Sequence, residues 1–208
     1  NLSDSFIFDN CKARYNTPAV EIGRSICVYN PATKAWNYFD KEGNRVTGRQ
    51  YIDGHLYYFK EDGSQAKGEI IEENGIKYYY EPDSGILASG RYLQVGDDQW
   101  MYFKQDGSLA IGQVRADHGY LKYFDKNGIQ VKGKTVVEDG KTYYYDAHSG
   151  ALVTSSFAEI APNQWSYFNT DGQALKGKWT INGKEYYFNQ NGIQYKGKDV
   201  KVGCSYKF

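Results

Sequence analysis

The chain is poor in what builds an ordinary globular core: it has one Met, four Pro, and a hydrophobic share drawn unusually from Tyr. No stretch approaches the ~20 apolar residues that a membrane-spanning helix needs, so no membrane insertion is expected. The chain also opens without a basic and then apolar signal segment, and is read as soluble and as either mature or cut from a longer protein. It has no excess of either charge. Lys plus Arg and Asp plus Glu number 25 each, which leaves no long-range field to draw in phosphate and argues against nucleic acid as a partner.

Chemistry-bearing residues are sparse as well. Three cysteines leave an odd thiol whichever pair is drawn; a Cys11–Cys27 bridge would leave Cys204 over, and no spacing among them suits zinc. His55, His118 and His148 share no ligand spacing, and no nucleophile elbow or phosphate-cradling glycine loop is present. The acidic pairs Glu72-Glu73 and Asp97-Asp98 fall in turn-like stretches where nothing sets a raised acid beside an ionised base. No catalytic residue, metal ligand or cofactor is therefore expected.

What the chain does have is 21 Tyr, 10 Phe and 4 Trp among 23 Gly. An aromatic doublet recurs as Tyr38-Phe39, Tyr58-Phe59, Tyr79-Tyr80, Tyr102-Phe103, Tyr123-Phe124, Tyr144-Tyr145, Tyr167-Phe168 and Tyr187-Phe188, with a weaker copy at Lys207-Phe208. Periods this short mean a solenoid or array. Gly43, Gly63, Gly107, Gly128, Gly172 and Gly192 each follow four residues after a doublet, as hairpin turns do. Gly85 and Gly150 follow after five, which predicts two turns longer by one residue. A second glycine comes five residues later at Gly48, Gly68, Gly90, Gly112, Gly133, Gly177 and Gly197, with Ser155 the departure. The fold class expected is all-β: a solenoid of tandem β-hairpin repeats of about 20–23 residues. Residues 31–208 form the repeats, and residues 1–30 are read as a degenerate cap in which Phe6, Ile7, Phe8, Ile26, Val28 and Tyr29 supply strands.

A longer period groups the hairpins in threes, since Phe59 to Phe124, Tyr80 to Tyr145 and Phe103 to Phe168 are each 65 residues apart. One member carries a Trp three residues before its Phe, at Trp36, Trp100 and Trp165; another carries a Tyr triplet, Tyr78–Tyr80 or Tyr143–Tyr145. Gln65-x-Lys67, Gln130-x-Lys132 and Gln194-x-Lys196 recur once per group. A flat ring beside an amide that both donates and accepts, and an ammonium that donates, makes a sugar pocket. The plainer reading is that the rings are core and that Gln and Lys are exposed polar residues copied by duplication.

The strings WNYFDKEGNRVTG, GHLYYFKEDGSQAKG, GIKYYYEPDSG, WMYFKQDGSLAIG and NGKEYYFNQNGIQYKG resemble the cell-wall-binding and glucan-binding repeats of Gram-positive surface proteins. The 65-residue group is most similar to the C-terminal glucan-binding domain of bacterial glucansucrases, over about residues 31 to 208. The resemblance implies a non-catalytic, secreted or cell-surface module that holds α-glucan of the dextran kind, or a cell-wall polymer, in pockets between hairpins. Carried over by position, the carbohydrate-binding residues are Gln65, Lys67, Tyr78, Tyr79 and Tyr80, then Gln130, Lys132, Tyr143, Tyr144 and Tyr145. A third set, Gln194, Lys196 and Tyr206, ends in Cys204-Ser205-Tyr206-Lys207-Phe208 in place of a triplet. Similar repeats bind choline through an aromatic cage that includes a Trp after the repeat glycine; those positions here hold Arg49, Glu69, Gln113, Lys134 and Lys198, and only Trp179 comes close. A structural or receptor-binding spacer is the remaining alternative.

Overall fold

The computed structural model describes residues 25–196. Each hairpin joins two short strands through a tight turn: β1 (Ile26–Asn30) with β2 (Ala35–Phe39), β4 (Gly48–Ile52) with β5 (His55–Phe59), and β6 (Glu69–Glu73) with β7 (Ile76–Tyr80). The short β3 (Arg45–Val46) adds a third strand beside β2. Then follow β8 (Arg91–Gly96) with β9 (Gln99–Phe103), β10 (Gly112–Arg115) with β11 (Leu121–Phe124), and β12 (Lys134–Glu138) with β13 (Lys141–Tyr145). The last two are β14 (Ser156–Ala161) with β15 (Gln164–Phe168) and β16 (Gly177–Ile181) with β17 (Lys184–Phe188). The all-β class of tandem hairpins is thus the one expected, and the first hairpin begins at Ile26. Cys27 is buried and disulfide-bonded. Cys11, Cys204 and Tyr206 lie outside the described residues.

The chain divides into two compact units, residues 1–92 with 103–109, and residues 93–102 with 110–208. Within the first, one ring of each doublet meets the second ring of the next: Tyr38 with Phe59 at 5.7 Å between centroids, Tyr58 with Tyr80 at 5.8 Å, and Tyr79 with Phe103 at 5.7 Å. Phe59, Tyr80 and Phe103 have no exposed surface. The second unit repeats the scheme with Tyr102 and Phe124, Tyr123 and Tyr145, and Tyr144 and Phe168 at 6.0, 5.6 and 6.0 Å. A two-stranded hairpin is marginal alone, and these ring pairs supply the burial it lacks.

After each turn a return segment laces two hairpins together. In the first unit the Gln65 N–H donates back to the Trp36 carbonyl of the preceding hairpin at 2.8 Å, and the next N–H, of Ala66, donates to Tyr58 of its own at 2.8 Å. Leu87 and Ala88 do the same to Leu56 and Tyr79. In the second unit Gln130 and Val131 reach Trp100 and Tyr123, and Gln194 and Tyr195 reach Trp165 and Tyr187. Alternate N–H groups of an extended segment point opposite ways, so one segment satisfies carbonyls on both sides. The ordinary turns close with a bond such as Gly63 N–H to the Lys60 carbonyl, whereas Gly85 N–H reaches Glu81 and Gly150 N–H reaches Asp146, one residue further, as their spacing predicts.

Candidate functional site

The lacing bond decides which aromatic each Gln-x-Lys meets. The Gln65 N–H is tied to the Trp36 carbonyl, and the Gln65 and Lys67 side chains share a cleft with Trp36, one hairpin back, while bonding the turn at Asp83 and Ser84. Together they line a cleft of about 360 Å³ in the first unit, whose walls also include Lys34, Lys60, Asp62 and Ser64. Trp36 is half-buried and steadied by Tyr29, with ring centroids 5.3 Å apart.

Gln65 is 6% exposed. Its Nε2 donates to the Ser84 carbonyl at 3.2 Å, while its Oε1 is buried with no hydrogen-bond partner. Such an acceptor costs roughly 1–3 kcal/mol until something donates to it. Gly85 makes the room, since a Cβ there would collide with Gln65 Nε2. The Lys67 ammonium donates to the Asp83 carbonyl at 2.8 Å, and Lys60 pairs with Glu69 at 3.0 Å. Asp62 accepts both the Ser64 N–H (2.8 Å) and hydroxyl (2.6 Å), which holds its carboxyl below the usual carboxylate range.

The second unit carries the same framework. The Gln130 N–H donates to the Trp100 carbonyl at 2.8 Å, its Nε2 reaches the Ser149 carbonyl at 3.4 Å, and Gly150 leaves the space. Lys132 pairs with Asp98 at 3.1 Å. The third copy is different: Gln194 N–H reaches the Trp165 carbonyl at 2.7 Å, but the Lys196 ammonium lies over the Trp165 ring, 4.6 Å from its centroid.

Tyr79, Tyr80, Tyr144 and Tyr145 were expected to meet sugar, yet they are 8%, 0%, 6% and 0% exposed and form the ring pairs of the core. Their strands bury both ends of the aromatic doublet, leaving no free ring face. Tyr78 is only half-buried, but the Arg49 guanidinium sits 4.0 Å above its ring and is itself ion-paired with Glu73. Tyr143 is half-buried. The aromatic side chain that lines the cleft is Trp36, and Trp100 and Trp165 hold the same place in their repeats. The signal for them lies in the sequence: the Trp precedes its Gln by a near-constant interval, from 36 to 65, 100 to 130 and 165 to 194.

Residues 30–62, 46–92 and 117–157 match the choline-binding repeat family, and residues 156–174 and 180–193 match the putative cell wall binding repeat. The chain belongs to the choline-binding repeat family. Its repeats are similar to part of glucosyltransferase-S of Streptococcus mutans serotype c, 39% identical over 166 residues, covering 79% of this chain and 11% of that protein. Glucosyltransferase-I of Streptococcus downei is 40% identical over 169 residues, 80% of this chain and 10% of the other. The chain thus spans about a tenth of the length of these curated relatives. Among solved structures, CbpJ of Streptococcus pneumoniae TIGR4 shares the fold with a TM-score of 0.70 at 22% identity, over 86% of this chain and 67% of that one. Choline binding protein F of Streptococcus pneumoniae gives 0.70 at 26% identity, over 88% and 68%.

Proposed function

We propose that the chain is a non-catalytic carbohydrate-binding module that holds α-glucan of the dextran kind in its Trp/Gln-x-Lys clefts and so attaches a larger secreted or cell-surface protein to polymer. The observation that carries this reading is the cleft at Trp36, where a partly exposed indole stands beside the Gln65 and Lys67 side chains. The C–H face of a pyranose fits the indole, and Lys67 donates to a sugar oxygen. Similarity to the two streptococcal glucosyltransferases supports the same ligand class. The cleft at Trp36 and the matching frame at Trp100 are the proposed working pair; at Trp165 a sugar must first displace Lys196.

A choline or cell-wall-polymer module is the second reading, favoured by the family match and by the likeness to choline binding protein F. Against it, ring faces on which a quaternary amine would rest already carry the protein's own cations: Arg49 over Tyr78 at 4.0 Å, Lys178 over Tyr187 at 5.6 Å and Lys196 over Trp165 at 4.6 Å. The test is retention on a dextran matrix. Soluble dextran should release the protein and choline should not; Trp36→Ala with Trp100→Ala, and separately Lys67→Ala with Lys132→Ala, should each lower retention at least about tenfold, from loss of stacking or of a charged donor. Release by choline, or retention untouched by both double variants in protein with an unchanged circular dichroism spectrum, would overturn the reading.

A further inference from the structure

We infer that the cleft at Trp36 is built for a sugar unit carrying an anionic group, a carboxylate or a phosphate ester, whereas the cleft at Trp100 takes a neutral unit. This rests on the carbohydrate-binding reading above.

The two clefts share Trp, Gln and Lys but differ around the rim. In the first, the rim holds Lys34 besides Lys67 and the carboxylate of Asp62, and Lys60 is paired with Glu69 at 3.0 Å. In the second, the residues at the same phase are Asp98 for Lys34, Asp125 for Lys60 and Asn127 for Asp62. Lys132 is neutralised by Asp98 at 3.1 Å. The hairpin-tip position has therefore changed sign, from Lys34 to Asp98, around a constant frame.

Backbone geometry argues that Lys34 is a choice made for its charge. Lys34, Asp98 and Asn163 hold the same hairpin position, with φ of 53°, 51° and 61°. This left-handed region suits Asn and Asp, whose short side chains satisfy the local backbone, and is costly for a long side chain. Four of the five tips elsewhere follow that rule, Asp53, Asn74, Asp139 and Asn182, and the fifth is His118. A residue that defies local preference at the mouth of a cleft marks a site where function overrides folding. An anionic substituent on a pyranose seated on Trp36 would meet Lys34, while the neighbouring hydroxyls meet Lys67. At Trp100 the same substituent would face Asp98 and Asp125 and be repelled.

The test uses the full chain with 15N-labelled tryptophan, its four indole N–H resonances assigned by single Trp→Phe variants. The probes are methyl α-glucoside, methyl α-glucuronide and methyl α-glucoside 6-phosphate, which differ only at C6. The Trp36 resonance should titrate about three- to tenfold more tightly with an anionic probe than with the glucoside, as expected for one or two exposed ion pairs. The gap should close at about 0.5 M salt. The Trp100 resonance should rank the probes the other way. Lys34→Asp should abolish the preference for the anionic probes at Trp36. The two anionic probes show whether carboxylate or phosphate is the preferred source. Equal or reversed ranking at Trp36, or a preference that survives Lys34→Asp and salt, would overturn the inference while leaving glucan binding standing. Silence of every tryptophan toward all three probes would overturn both.

Discussion

Tyr80 and Tyr145 occupy the same place in successive triplets, and each is wholly buried. Removal from water pushes both phenols up to about 12, against an ordinary value near 10. The folded chain therefore keeps two protons that the unfolded chain releases as pH rises past 10. Stability is fully present below that point and should fall by about 1.4 kcal/mol per pH unit for each phenol between roughly 10 and 12. Urea midpoints measured from pH 8 to 11.5 should hold level and then drop, and Tyr80→Phe combined with Tyr145→Phe should flatten the drop; a decline that begins well below pH 10 would contradict this assignment. The two sites also differ at neutral pH. Tyr145 Oη accepts from Gln113 Nε2 at 2.9 Å, while the Tyr80 hydroxyl has the Arg49 guanidinium beside it. Tyr145→Phe should thus lower stability at pH 7 by about 0.5–1.5 kcal/mol.

At the scale of the hairpin, the repeat glycine is the informative position. Gly48, Gly68, Gly90, Gly112, Gly133 and Gly177 all have φ between 60° and 81°, and Ser155 is held in the same left-handed region at 48°. A Cβ there costs roughly 1–2 kcal/mol, offset in part by the backbone entropy of glycine at 0.5–1 kcal/mol. Ser155→Gly should therefore stabilise the chain by about 0.5–1 kcal/mol, and the mirror change Gly133→Ser should destabilise it by a similar amount, both read from denaturant midpoints. The hairpin beat, the two longer turns and the 65-residue grouping were legible because glycine and aromatic positions answer to local backbone and side-chain needs. The partner of Gln-x-Lys was not, because it depends on a backward hydrogen bond such as Gln65 to Trp36, which joins residues 29 apart. Nor was the burial of Tyr79 and Tyr80: both faces of β7 carry aromatics, so alternation alone gives no sign of which face meets solvent.

At the scale of the whole molecule, the frame of Trp, Gln and Lys occurs once in the first unit and twice in the second, and a polymer of identical sugars can engage more than one copy. A single shallow cleft that binds one sugar at ~1 mM contributes about −4 kcal/mol. Once one cleft holds a polymer, the second meets its ligand at an effective concentration in the millimolar range, which raises overall affinity by about 10²–10⁴ without new contacts. Polymer and short oligosaccharide should therefore respond differently to loss of one site. Trp36→Ala should leave isomaltotriose binding at Trp100 unchanged, by its indole resonance, yet weaken retention on high-molecular-weight dextran by about 10- to 100-fold. Trp36→Ala with Trp100→Ala should remove nearly all of it, unless Lys196 yields Trp165 to sugar, in which case adding Trp165→Ala would abolish the remainder. Parallel losses for oligosaccharide and polymer would mean that the clefts act singly and that repetition serves the fold and not the ligand.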